Sequence, residues 1–407
     1  MTALTEPLTL PCGKVLPNRI LKSAMSEVLG TPVHAPSKEL EVLYERWSAG
    51  GTGLLITGNV MVDRRALGEP GNVVLEDKRE LEAFTRWSRA ATRHSNHCWM
   101  QLNHPGKQSP KFLSSTTVSP SAIGFGSPLA KAFAVPRALT EDEIEDLIAR
   151  FGRSAGLAKE TGFTGVQIHG AHGYLVSQFL SPHHNRREDR WGGSLENRAR
   201  FVLSVYDAVR EAVGQNFPVS IKLNSADFQR GGFAEDDSVA VMQMLQERGI
   251  DLVEVSGGTY EAPAMTGAKQ KASTKAREGY FMDFVVRARE TLCVPLCITG
   301  GFRSRAGIQA ALEAGADMVG LARTLAIQPS FSAEILAGNN PQSLVKRPST
   351  GIRAVDALAS FDVTWYETQL ARMGAGKDPV PELGAWRSLF STLSRTGLQA
   401  FKMRRAK

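Results

Sequence analysis

Cysteine is scarce: four residues in 407, at Cys12, Cys98, Cys293 and Cys297. So few, spread so widely, make no disulfide framework, and a reducing, cytoplasmic setting is the expectation. No stretch reaches the ~18–20 consecutive apolar residues that span a bilayer. The N-terminus carries an early acid and a proline and lacks the apolar core of a secretory signal. There is no G-x-G-x-x-G turn, which argues against a dinucleotide-binding open sheet. There is no HExxH and no paired CxxC, which argues against a metal site. Acids are missing from Arg387 to Lys407, where six basic residues stand, and outside that tail the formal charge of +7 shrinks to about +1. The basic balance belongs to a tail, and it gives the body of the protein no nucleic-acid-binding face.

What is present is alternation. Hydrophobic residues make up 42% and charged residues 22% of the chain, the proportions of a globular protein. Short apolar runs at 19–23, 53–58, 98–102, 164–168, 218–222, 251–255, 295–299 and 317–321 read as strands. Amphipathic stretches such as 80–93, 141–160, 195–213, 236–248 and 303–314 read as the helices between them, the last stopping at Gly315. Eight β-α units predict an α/β fold, a single (β/α)8 TIM barrel over residues 1–337. Residues 338–407 are expected to form a mainly helical extension, with linkers at 338–351 and 374–384. Its last segment places Trp386, Leu389, Phe390, Leu393, Gly397, Ala400 and Phe401 on one helical face with basic residues opposite. Basic amphipathic helices can lie on anionic membranes. Docking on the chain's own body, or on a second copy in a homo-oligomer, is the favoured expectation here.

Barrel enzymes carry their chemistry at the C-terminal ends of the strands. Along this chain those ends offer Ala24-Met25-Ser26, Thr57-Gly58-Asn59, Gln101 with Asn103 and His104, His169-Gly-Ala-His172-Gly-Tyr174, Lys222 with Asn224, Ser256-Gly257-Gly258, Thr299-Gly300-Gly301 and Ala322-Arg323. Glycines, amides and cations on one rim suit an anionic, planar, hydrogen-bonding ligand. Gly300 and Gly301 let backbone approach a phosphate, a helix start after strand eight offers N–H groups, and the Arg323 fork suits bidentate binding.

The segments NRILKSAMS, QLNHPGK, IHGAHGYLVSQFLSPHHNRREDRWGGSLENRARF and ITGGFRS, with GLAR after it, resemble the old yellow enzyme family of FMN-dependent ene-reductases over roughly residues 6–335. The resemblance implies FMN as cofactor, NADH or NADPH as hydride donor and a small enone-type substrate. It implies a reactive cluster of His169, His172 and Tyr174. Ser23, Ala24, Met25, Ser26, Gln101 and Lys222 would stand beside the flavin ring, with Asn59 on the same rim, and Gly300, Gly301, Ala322 and Arg323 would hold its phosphate. Ala24 stands where the family often has proline, Ser26 where it often has cysteine or threonine, and Lys222 where arginine is more frequent. The last change keeps a point charge but loses the planar fork. Some relatives carry an iron–sulfur cluster on cysteines beyond the barrel, and no cysteine follows Cys297 here.

Elementary chemistry gives the same roles. Reducing an enone needs hydride at one carbon, a proton at its neighbour, and stabilisation of charge on the carbonyl oxygen. Two imidazole donors can supply the last, and a tyrosine, protonated at neutral pH, can supply the proton. An FMN-linked amine dehydrogenase or N-demethylase on the same barrel is the alternative, with a non-catalytic flavin-binding protein behind it. His183 and His184 could extend H-x-x-H toward a metal set, but the ligand count argues against one.

Overall fold

The computed structural model describes residues 3–114, 116–127, 129–264 and 278–397. Ala400, Phe401 and the basic residues after them therefore lie outside the described residues, as does the middle of the 259–281 loop. Eight parallel strands pair in chain order: β1 Ile20–Lys22, β2 Leu54–Met61, β3 His97–Asn103, β4 Gly165–Gly170, β5 Val219–Asn224, β6 Leu252–Ser256, β7 Leu296–Thr299 and β8 Met318–Leu321. β8 pairs with β1 through Val319↔Ile20, which closes the barrel. Outside it run α1 Lys38–Ala49, α2 Leu81–Ala91, α3 Glu141–Glu160, α4 Leu175–Leu180, α5 Leu195–Val213, α6 Glu235–Glu247, α7 Met282–Arg289 and α8 Arg305–Glu313. They are followed by α9 Arg323–Ile327 and α10 Phe331–Leu336.

The helices start where their side chains can take up orphan backbone donors. Thr140 and Glu143 form a reciprocal capping box at α3, and Ser194 and Ser304 accept backbone N–H groups at α5 and α8. Alternation along each strand then sorts the barrel wall. Val166 and Ile168 of β4, Val219 and Ile221 of β5, and Val253 and Val255 of β6 face the helices and join the main apolar core. Their neighbours face inward. At the floor these are Leu21, Leu54, Ile56, Trp99, Leu252, Cys297 and Met318, closed by Leu8, Leu10 and Leu16 of an N-terminal segment that pairs Leu8–Thr9 with Val15–Leu16. Nearer the C-terminal rim the inward residues turn polar: Gln101, Gln167, Lys222 and Glu254 are all buried.

Two departures from the sequence reading matter. The strand expected at 53–58 continues to Met61 through an irregularity between Ile56 and Asn59, where Thr57 Oγ1 accepts the Gln101 N–H at 2.9 Å. A bulge redirects side chains, so Asn59 lies within β2 and reaches the rim from there. In the extension, α11 Arg353–Ala359, α12 Phe361–Gly374 and α13 Ala385–Thr396 form. Phe361, Trp365, Leu370, Met373, Ala385 and Leu389 belong to the same apolar core as the barrel. α13 does not bury the whole face read from the sequence: Leu389 and Leu393 pack inward, but Trp386 and Phe390 stand exposed. The buried face is rotated because Ser388 and Thr392 Oγ atoms lie 3.2 and 3.4 Å from Thr368 Oγ1 of α12. Small hydroxyl side chains let the two helices approach there, and large ones would hold them apart. Among the described residues no helix is long and apolar enough to cross a membrane.

Candidate active site

A cavity of about 230 Å³ opens at the C-terminal rim; its wall includes all fourteen residues expected above for the reactive cluster and the cofactor, but not the strand-end residues Asn103, His104 and Asn224. Ser23, Ala24, Met25 and Ser26 follow β1, Asn59 lies in β2, Gln101 in β3, His169 in β4 and Lys222 in β5. Gly300 and Gly301 follow β7, with Ala322 and Arg323 at the start of α9.

The β4 end is built by a local strain. His172 sits at φ +62° and Gly173 at φ +78°, two consecutive left-handed residues that turn the chain sharply. The turn brings Tyr174 back so that its ring centroid lies 4.8 Å from that of His169, with the His172 ring 5.1 Å from His169. His169 Nδ1 accepts the Ala171 N–H at 3.3 Å, which leaves Nε2 to carry the proton as a donor. His172 Nε2 lies 2.8 Å from Ser256 Oγ, and its backbone N–H donates to Asn224 Oδ1, so β5 and β6 hold this imidazole in place. The Tyr174 hydroxyl lies 3.0 Å from that of Tyr260.

On the opposite side, Gly300 and Gly301 have φ +126° and +85°, and a Cβ on Gly301 would come within 2.5 Å of the Tyr280 ring. The glycine pair is therefore required by both conformation and space. Arg303 and Arg323 line the same part of the cavity and bring two guanidinium groups to it. Between these ends, Asn59 Oδ1 and Gln101 Oε1 are buried without a hydrogen-bond partner among the described residues. Both residues face the cavity. Buried acceptors without donors are costly, and here they await a ligand's N–H.

Sequence reading missed part of the wall. Tyr280 and Phe281 come from the end of the 259–281 loop, which carries no pattern, and Phe302 sits within ITGGFRS. Asp362, Tyr366 and Leu370 of α12 also line the cavity, and their i, i+4, i+8 spacing on one helical face was a usable signal. Ser26 Oγ lies 2.5 Å from Glu69 Oε2 and 2.8 Å from Glu367 Oε1, so α12 is tied directly to the segment after β1. Beside the cavity, ligand atoms of His183, His184 and Glu261 come within 4.8 Å of one another. Lys107 Nζ lies 3.1 Å from His184 Nδ1 and 3.8 Å from Glu261 Oε2. Burial pulls its ammonium down to about 8. The lysine thus pairs with two of the three groups, and the cluster reads as an internal ion pair.

Known proteins resemble this chain in both sequence and fold. The sequence profile of the NADH:flavin oxidoreductase / NADH oxidase family matches residues 3–342. The chain is 40% identical to NADH-dependent flavin oxidoreductase iliE of Hypocrea jecorina, over 81% of this chain and 88% of the relative. It is 37% identical to NADH-dependent flavin oxidoreductase iccE of Talaromyces variabilis, over 90% of this chain and 97% of the relative. In fold it is similar to the old yellow enzyme homologue from Zymomonas mobilis, with a TM-score of 0.72 at 24% identity, covering 84% of this chain and 95% of that one. FMN, with NADH or NADPH as its reductant, fits the donor set: glycines and guanidinium groups for the phosphate, and unpartnered buried amide oxygens for the ring. The chain belongs to the NADH:flavin oxidoreductase / NADH oxidase family.

Proposed function

We propose that this oxidoreductase reduces activated carbon–carbon double bonds of α,β-unsaturated carbonyl compounds. What carries the reading is the β4 cluster: a His169 Nε2 donor, a His172 ring held by Ser256, and Tyr174 folded back against His169 on one cavity wall. Bound FMN supplies hydride transfer from NAD(P)H to the substrate's β-carbon. His169 and His172 orient the substrate by donating to its carbonyl oxygen, and these donors count most as negative charge builds there. Tyr174 gives its hydroxyl proton to the α-carbon. Donors converging on an oxygen that becomes negative favour this reading over amine oxidation, in which no such charge develops.

Stopped-flow kinetics of Tyr174→Phe test it. Substrate-analogue binding and reduction by NAD(P)H should persist, while turnover of an enone slows by on the order of 10²-fold, the usual worth of a positioned acid. Turnover with oxygen, which needs no proton on carbon, should change little. Enone turnover at the wild-type rate would assign Tyr174 to packing alone.

A further inference from the structure

Four buried side chains from four consecutive strands form a chain across the barrel beneath the cavity. Gln101 Nε2 of β3 donates to Gln167 Oε1 of β4 at 2.7 Å. Gln167 Nε2 donates to Glu254 Oε2 of β6 at 2.9 Å. Glu254 Oε1 lies 2.9 Å from Lys222 Nζ of β5, a charge contact rather than an aligned hydrogen bond. Exposure is 0% for Gln101, Gln167 and Glu254 and 3% for Lys222. Gln101 and Lys222 line the cavity, whereas Gln167 and Glu254 lie behind them.

From this arrangement we infer that Glu254 is the positioning residue that sets both the polarity and the charge of the cofactor-facing wall. The inference rests on the reading of Gln101 and Lys222 as flavin-side residues. An ionised carboxylate can only accept. Gln167 must therefore turn its amide N–H₂ toward Glu254 and its oxygen toward Gln101. Gln101 in turn must offer N–H₂ to Gln167, which leaves its Oε1 facing the cavity. That is the oxygen found buried and unpartnered, an acceptor for the imide N–H of a flavin ring. A neutral amide at position 254 would let the relay run in reverse and present an N–H there instead. The second consequence is electrostatic. Lys222 faces the ring position as a cation, and Glu254 offsets its field at 2.9 Å. Opposite charge nearby stabilises an anion, so the pair gives the reduced ring less stabilisation than a lone lysine would.

Potentiometric titration of the FMN-loaded protein, with FMN dissociation constants measured by fluorescence, tests both parts. Glu254→Gln should raise the midpoint potential, shifting the reduced-to-oxidised ratio at least tenfold, which is roughly 30 mV for a two-electron couple. It should also weaken FMN binding. Gln167→Leu breaks the relay without altering charge: FMN binding should fall about tenfold with the potential unchanged. Lys222→Met should lower the potential, and if it does not, the cofactor-side reading of Lys222 itself fails. If Lys222→Met lowers the potential and Glu254→Gln leaves it at the wild-type value, the inference about Glu254 is overturned alone. Should Glu254→Gln not fold, the double variant Lys222→Met/Glu254→Gln removes the pair together. Its potential should lie above that of Lys222→Met by the same tenfold, and equality between the two overturns the proposal.

Discussion

Lys22 is a lysine with no route to water. It is 0% exposed, on the helix-facing side of β1, with Nζ 2.7 Å from the Ile56 carbonyl, 3.1 Å from the Tyr44 hydroxyl and 3.3 Å from Glu27 Oε1. The Trp47 ring lies 4.4 Å from the ammonium. Tyr44 donates to the same Glu27 oxygen and accepts the Gly58 N–H at 3.0 Å. Burial pushes Lys22 below, and Glu27 above, its ordinary range, while each partner's charge opposes the shift. Such a pair adds little net stability compared with an apolar substitute, but removing one member is severe because the other stays buried alone. Lys22→Met and Glu27→Gln should each cost about 3–5 kcal/mol. The entropy of unfolding of a chain this long makes 4 kcal/mol a fall of about 5 °C in Tm.

The double variant decides whether the pair is a unit. Partners in contact show coupling energies of roughly 0.5–3 kcal/mol, and this buried pair belongs near the top of that range. Lys22→Met/Glu27→Gln should therefore be less destabilised than the sum of the singles by about 2 kcal/mol or more. Urea unfolding of all four proteins, compared at equal m-values, measures it. Strict additivity would refute the argument. The perturbation reaches the cavity as well, because Gly58 precedes Asn59 and a Cβ there would sit 2.7 Å from Glu27 Oε2. FMN affinity should fall in both single variants.

His104 gives the protein an acid-sensitive element. Burial pulls its imidazole down to about 4, against a smaller opposing pull from Asp63, and its Nδ1 accepts the Gly106 N–H at 3.1 Å. The unfolded chain binds this proton from about pH 6.5 downward and the folded chain only near pH 4. Stability is thus lost between those values, by ~3 kcal/mol in all. His104→Asn keeps an acceptor and should flatten that stretch of the stability–pH curve, and an unchanged slope would show that other groups cause it. Trp365 is fully buried and donates to the Leu383 carbonyl at 2.9 Å. Trp365→Ala should cost roughly 3–5 kcal/mol and weaken FMN binding through α12, and a loss below about 1 kcal/mol in urea would mean that the extension packs loosely.

The barrel was legible because strand alternation and helix periodicity are local signals that this fold uses throughout. The rim was legible because each strand end carries polar residues where a packed surface would carry apolar ones, as at Gln101, His169 and Lys222. What stayed hidden depended on distance in sequence. Gln167 and Glu254 sit inside runs that read only as strands, TGVQI and DLVEV, and nothing local says that 87 residues apart they meet at 2.9 Å. Lys22 read as one polar residue in a short strand, although its burial is decided by Tyr44 and Trp47 of α1. At α13 the apolar stripe suggested one buried face, but hydroxyl contacts to Thr368 chose another.

The extension shows why a periodic pattern alone does not locate a site. Its helix α12 could have packed anywhere along the barrel's outer wall. It lies on α1 because Gly374 allows close approach there: a Cβ would stand 2.8 Å from the Glu39 carbonyl. α1 in turn packs its Tyr44 and Trp47 over Lys22, next to the segment that runs into the cavity. Fixing α12 against α1 therefore fixes Tyr366 and Leu370 over the cavity and sets Glu367 beside Ser26. One run of packing thus connects a glycine in the extension to the residues that line the cavity, through contacts between segments far apart in sequence.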